Sequence, residues 1–159
     1  MPSKRSVLSL ACCLVLLAVA PQQQDRPPLY DPARDPFEDL QDTIVVAQES
    51  GKHILLNVGG NWCGWCYTLD AFIKANDDVG ALLEAGFVVV KINMSTENRN
   101  EKFLSQYPEV YAYPYFFVLD GEGTFLHAQR TGPLEDGASY DKGKLMAFFG
   151  EWGPHPRIP

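Results

Sequence analysis

The sequence of 159 residues is short of positive charge: 13 Lys and Arg stand against 20 Asp and Glu, a formal net charge of −7. Such a chain offers no basic surface to neutralise a phosphate backbone, which makes nucleic acid a poor candidate partner. Cysteine and histidine are scarce as well, at four and three. A zinc site needs about four ligands, and His53, His127 and His155 show no i, i+4 spacing. The longest uncharged apolar run, Val7 to Ala20, has fourteen residues, short of the ~20 needed to cross a bilayer as a helix. No internal repeat is present. What remains, 46% hydrophobic and 21% charged residues, is the profile of one globular domain.

Residues 1–20, MPSKRSVLSLACCLVLLAVA, place Lys4 and Arg5 ahead of that apolar run. This is a secretory signal pattern, and Ala18-Val19-Ala20 supplies the small-x-small end that cleavage requires. Pro21 fits the position after the cut poorly, so retention of residues 7–20 as a membrane tether is the alternative to release. Either outcome places the domain in a periplasmic or secreted setting. Cys12 and Cys13 lie inside the run and read as hydrophobes of the signal; its removal would leave two cysteines. Residues 21–36, PQQQDRPPLYDPARDP, hold five of the 12 prolines and read as an extended, solvated spacer with no chemistry of its own. Residues 153–159 form a short tail.

Between them, residues 37–152 alternate helix and strand, the signature of an α/β layered fold. Asp35-Pro36-Phe37-Glu38 combines a cap, a proline at the first helical position and an acid three residues after the cap, predicting a helix from Pro36 to Ser50 that Gly51 ends. His53–Val58 is a strand. A helix follows Cys66, with Leu69, Phe72 and Ile73 on one side, then another from Asp77 to Glu84 closed by Gly86. Phe87–Asn93 is the next strand, parallel to the first because helix joins them. Residues 97–106 predict a modest helix. Tyr115–Leu119 and Thr124–Ala128 form an antiparallel hairpin about Asp120-Gly121-Glu122-Gly123. Tyr140 to Trp152 is the last helix, burying Leu145, Phe148 and Phe149.

One constellation carries chemistry: Cys63-Gly64-Trp65-Cys66. At the start of a helix, residues i and i+3 share a face, so the sulfurs can close a disulfide with little backbone movement. The free N–H groups and partial positive charge of the helix start favour a thiolate at Cys63. The competing readings are a pair of structural cysteines and a soft-metal site of two thiolates with a distant ligand such as His127.

Strand, Trp62-Cys63-Gly64-Trp65-Cys66, helix, the strand Val88–Asn93, then Tyr113-Pro114-Tyr115-Phe116 before a hairpin together resemble the thioredoxin family, over roughly residues 37–152. The similarity is greatest to its secreted and periplasmic members. It implies a three-layer α/β fold with a central mixed sheet of about four strands flanked by helices. It implies that Cys63 attacks and Cys66 resolves, that Trp62 packs beside the active-site turn, and that Pro114 is a cis-proline whose loop, with Tyr113, meets the substrate chain. Lys91 also matches the family, although a solvated lysine at a strand end would look the same.

Two departures from the family pattern matter. Asn57 stands six residues before Cys63, where related reductants often carry a buried aspartate. An amide exchanges no proton in the working pH range, so Cys66 must lose its proton to water or another group. Between the cysteines, Gly64-Trp65 provides no cationic side chain. The attacking thiol should therefore have a pKa of roughly 7, as in thioredoxin, rather than the ~3.5 of a strong oxidant. Trp65 would offer the rim an apolar surface for substrate.

The expected function is thus an extracytoplasmic thiol–disulfide oxidoreductase acting as a reductant. It would need no cofactor beyond the Cys63–Cys66 disulfide. Its partners would be protein or peptide thiols and disulfides, together with an unidentified electron donor or acceptor. The runner-up is a dithiol copper carrier or a factor maturing cytochromes or copper proteins, with Met94 as a loop or core residue rather than a ligand. A scaffold with inert cysteines, presenting polar residues 93–102, is the third reading.

Overall fold

The computed structural model describes residues 26–154. The signal pattern of residues 1–20 and most of the tail lie outside them.

Helix α1 runs Pro36–Ser50, as the local capping residues require: the Asp35 side chain accepts the Phe37 N–H, and Gly51, at φ 67°, closes the other end. A left-handed φ is inexpensive only for glycine. Strand β1, His53–Gly59, is buried from its second residue onward. It is followed by α2 (Gly64–Ala75), α3 (Asp77–Gly86) and β2 (Phe87–Asn93). After a short turn of helix, α4 (Glu101–Leu104), come β3 (Tyr115–Leu119) and β4 (Phe125–Arg130). Two two-residue strands, β5 (Glu135–Asp136) and β6 (Ser139–Tyr140), pair with each other before α5, Lys142–Trp152.

The four main strands form one mixed sheet in the order β2-β1-β3-β4. β1 is parallel to β2 and antiparallel to β3. Successive side chains of a strand point to opposite faces, and β1 separates two apolar layers accordingly. Ile54, Leu56 and Val58 pack with Ala47 of α1 and Phe103 of α4. Leu55 packs with Leu69 of α2, Val79 of α3 and Leu145, Phe148 and Phe149 of α5. Asn57 follows Leu55 on this second face, under the start of α2. The result is the three-layer fold expected from the sequence.

Local departures have local causes. The helix expected over 97–106 is confined to Glu101–Leu104, because polar side chains hold the preceding chain in a loop. Asn93 Nδ2 donates to Ser95 Oγ and to the Asn98 carbonyl, and Asn100 Nδ2 donates to the Asn93 carbonyl. The last helix starts at Lys142 rather than Tyr140, where Asp141 caps it by accepting the Lys144 N–H at 2.8 Å. In the β3–β4 turn, Asp120 Oδ1 accepts the N–H groups of Glu122 and Thr124.

Phe116 joins the two sides of the second layer, lying against β1 and stacking on Phe148 at 5.7 Å between ring centres. Truncation to alanine removes a fully buried ring, and Phe116→Ala should lower unfolding free energy by about 3–5 kcal/mol. Urea denaturation checks this, and a loss under 1 kcal/mol would mean that the layer repacks.

Candidate active site

β1 ends at Gly59, and a tight turn carries the chain into α2, with the Cys63 N–H donating to the Gly60 carbonyl at 3.0 Å. Cys63 is itself the N-cap of α2: its backbone is extended, and its Sγ accepts the Cys66 N–H at 3.1 Å. The sulfur therefore takes the place usually filled by a serine or aspartate oxygen. Cys63 and Cys66 are joined as a disulfide, with Cα atoms 5.3 Å apart. On reduction, a thiolate at Cys63 would retain that N–H as a charge-assisted hydrogen bond, reinforced by the helix dipole. Cys66 lies deeper, 1% exposed against 4% for Cys63.

The space behind Cys66 is closed by residues from three directions. A Cβ on Gly59 would stand 2.5 Å from both Cys66 Sγ and the Tyr30 hydroxyl oxygen. No larger residue fits at Gly59 without displacing one of them, and at most twice that distance separates the hydroxyl from the sulfur. Tyr30 donates this hydroxyl to Asn57 Oδ1 at 2.9 Å, and both residues are buried. Burial pushes the Tyr30 phenol far above its ordinary pKa, so it stays neutral and a donor at working pH. Lys91 lies across from Asn57 in the β1–β2 register, its ammonium 5.3 Å from the centre of the Tyr30 ring. Burial lowers the Lys91 pKa, opposed by the nearby Asp70 carboxylate. It is a half-buried lysine rather than a solvated one.

The reading of residues 21–36 as a solvated spacer without chemistry is corrected over residues 26–36 by this arrangement, residues 21–25 lying outside the described residues. Leu29 and Tyr30 pack against the cysteine pair, and the segment from 26 to 34 is a strap across the site. Asn61 fastens it: Oδ1 accepts the N–H groups of Leu29 and Tyr30 at 2.8 and 3.0 Å, and Nδ2 donates to the Tyr30 carbonyl at 2.8 Å. Tyr67 of α2 donates its hydroxyl to the Pro27 carbonyl, and Asn98 Nδ2 donates to that of Pro32. Sequence reasoning missed Tyr30 and Asn61. The available signal was Leu29-Tyr30, the one adjacent apolar pair in a segment otherwise dominated by proline, glutamine and charge.

The rim differs from expectation in one respect. The exposed aromatic is Trp62, at 59%, not Trp65. Trp65 is turned back against the core, edge-on to Tyr140 with ring centres 5.6 Å apart. Trp62 does lie beside the turn: its indole N–H donates to the Met94 carbonyl at 2.6 Å, and its ring meets Tyr113 edge-on at 5.1 Å. Tyr113 packs against the cluster of Tyr30 and the two cysteines. The Tyr113–Pro114 peptide is cis, the isomer implied by the resemblance, and Thr131 Oγ1 donates to the Pro114 carbonyl at 3.0 Å. A groove of about 800 Å³ begins at Trp62 and Tyr113 and extends past Met94 towards Arg99.

Among the described residues no group of three or more His, Cys, Asp or Glu side chains is placed to hold a metal ion. His127, the distant ligand of the soft-metal reading, is stacked on Trp152 at 4.0 Å between ring centres. His53 Nδ1 contacts the Trp152 carbonyl at 2.8 Å.

A family model described as thioredoxin-like matches residues 35–121. The chain belongs to the thioredoxin-like family, and its fold and Cys63–Cys66 pair are those of a thiol–disulfide oxidoreductase. A disulphide isomerase from Xylella fastidiosa Temecula1 is similar at 25% identity and a TM-score of 0.66, over 77% of this chain and 95% of that one. The C-terminal domain of DsbD from Neisseria meningitidis, in its oxidised form, shares the fold at 16% identity and a TM-score of 0.56, over 74% and 96% of the two chains. A thioredoxin from Thermus thermophilus does so at 18% identity and 0.53, over 70% and 81%. In sequence, 53 residues are 34% identical to human spermatogenesis-associated protein 20; that is 33% of this chain and only 7% of the human protein's length.

Asn61→Ala removes three of the hydrogen bonds that fasten the strap. It should lower stability by about 1–3 kcal/mol and speed proteolysis within residues 26–35. Chemical denaturation and limited proteolysis check this; an unchanged midpoint with unchanged cleavage would show that Asn61 does not hold the segment.

Proposed function

We propose that this protein is an extracytoplasmic thiol–disulfide reductant in which Cys63 attacks and Cys66 resolves. The observation that carries the reading is the Cys66 N–H donated to Cys63 Sγ. The group that would stabilise a thiolate points at the outer sulfur, while the inner sulfur is sealed behind it. The Cys63 thiolate attacks one sulfur of a substrate disulfide, forming a mixed disulfide and expelling the other sulfur as a thiolate. Cys66 then attacks Cys63, the Cys63–Cys66 bond forms, and the second substrate sulfur leaves, its proton supplied in net from the Cys66 thiol. Substrate gains two electrons and the dithiol loses them. An electron donor of the dithiol class must then re-reduce the pair.

The reductant direction rests on Gly64-Trp65, which places no cationic side chain between the cysteines. The thiolate thus depends on the helix start alone for most of its stabilisation, the regime of a moderate pKa. Protein or peptide disulfides are the substrate class: Trp62, Met94 and Tyr113 give the groove an apolar wall beside the cysteines, and the Pro114 loop lies at the same rim. The extracytoplasmic placement, and a tether through residues 7–20 if the signal is retained, are supported by the Lys4-Arg5 start and the apolar run that follows.

Cys66→Ala should accumulate a mixed disulfide between Cys63 and a disulfide-bonded peptide, visible by mass spectrometry, where the unaltered dithiol gives only transient adduct. Absence of any adduct, with Cys63 still titratable as a thiol, would overturn the two-step mechanism.

A further inference from the structure

The groups behind Cys66 are the least explained part of the site. The resolving cysteine must become a thiolate while 1% exposed, and a buried thiolate without a hydrogen-bond donor is strongly disfavoured. Asn57 provides no carboxylate to take the proton. The titratable groups around this space are Tyr30 from the strap, Tyr67 and Asp70 from α2, Lys91 from β2 with Lys74 of α2 near it, and Tyr140 from β6. Of these, Tyr30 shares with Cys66 Sγ the small space over Gly59.

We propose that Tyr30 is a positioning residue for the resolving step, its hydroxyl turning from Asn57 to donate a hydrogen bond to the Cys66 thiolate. The inference rests on the dithiol mechanism proposed above. In the oxidised state the phenol proton goes to Asn57 Oδ1 at 2.9 Å. A disulfide sulfur carries no charge and makes no strong claim on that proton. When Cys66 ionises, the stronger acceptor lies no more than twice 2.5 Å from the same hydroxyl, and rotation about the C–O bond with a small shift of the ring brings the proton to it. Asn57 accommodates the change by turning its amide over, so that Nδ2–H donates to the phenol oxygen it previously accepted from. The pair thus serves either redox state with neutral groups. The phenol gives up no proton: the Cys66 proton ends on the departing substrate thiol, as the balance of the resolving step requires.

The strap gives this arrangement its precision. Asn61 holds both the N–H and the carbonyl of Tyr30, so the ring enters from a fixed backbone. Lys91 rests its ammonium near the ring face, favouring the aromatic side chain at this place by a cation–π contact. The steps of the reaction separate cleanly on this account. Tyr30 is directed at Cys66, and the attack by Cys63 depends on the α2 N-terminus instead.

The test uses the full chain carrying Cys12→Ser and Cys13→Ser, reduced and mixed with one equivalent of dithiobis(nitrobenzoate). Attack by Cys63 releases one coloured thiolate and resolution by Cys66 releases the second, in a phase independent of reagent concentration. Tyr30→Phe should slow the second phase about tenfold, the effect of losing one hydrogen bond to a charged sulfur, and shift its pH profile upward. The first phase should stay within about twofold. A fluorotyrosine at position 30 keeps ring and hydroxyl, donates more strongly and should speed the second phase; it decides the matter if Tyr30→Phe does not fold. An unchanged second phase in the folded variants, or equal slowing of both phases, overturns the role of Tyr30. Release of a single thiolate by the chain with Tyr30 intact would instead overturn the dithiol mechanism itself.

Discussion

The Cys66 N–H that points at the sulfur of Cys63 is the contact around which the rest of the site is arranged. It exists because Cys63 caps α2, and Cys63 caps α2 because β1 stops at Gly59 and the chain turns at once into a helix. A helix start leaves its first N–H groups unpaired, and a sulfur held there receives both a hydrogen bond and the positive end of the helix dipole. The same geometry puts residue i+3 one turn inward, so the second sulfur is carried into the protein. One backbone turn thus sets the two sulfurs apart, and the proposed mechanism draws on it: the outer would be stabilised as a thiolate on reduction, and the inner is kept from solvent.

That separation creates the difficulty the remainder of the site addresses. A sulfur buried as deeply as that of Cys66 is poorly served by water, and Asn57 cannot act as a base. Gly59, Tyr30 and Asn57 answer together: the glycine leaves room, the phenol fills it, and the amide holds the phenol. None is charged, so the pocket avoids the large cost of burying an unpaired ion. Lys91, the charged neighbour, is placed on the ring face and has Asp70 nearby.

Much of this was legible in the sequence where the causes are local. The Asp35-Pro36 start and Gly51 stop of α1 depend on a few neighbouring residues, and the structure has both. The parallel pairing of β1 with β2 follows from the helical connection between them. The cysteine motif placed itself on a strand, turn and helix. The strap was not legible, because the burial of Tyr30 is decided by Asn57 and Asn61, 27 and 31 residues away, while its own neighbours are prolines and charges. The rim surface expected of Trp65 was misplaced for a related reason: its ring is drawn inward by Tyr140, a residue 75 positions away, while Trp62 lies beside the turn as the resemblance implied. The helix expected across 97–106 shrank to one turn because asparagine and serine side chains, good local partners for backbone groups, formed a loop with Asn93.

The central claim, a helix-capped dithiol poised to reduce, is tested most directly by the equilibrium reduction potential of Cys63–Cys66. The protein would be equilibrated in glutathione buffers and followed by tryptophan fluorescence, since Trp62 and Trp65 flank the pair. A value near the ~−270 mV of thioredoxin is expected for a thiolate stabilised by the helix start alone. A value near the ~−120 mV of strong disulfide donors would contradict the account, showing that the site stabilises its reduced form far more than these groups allow.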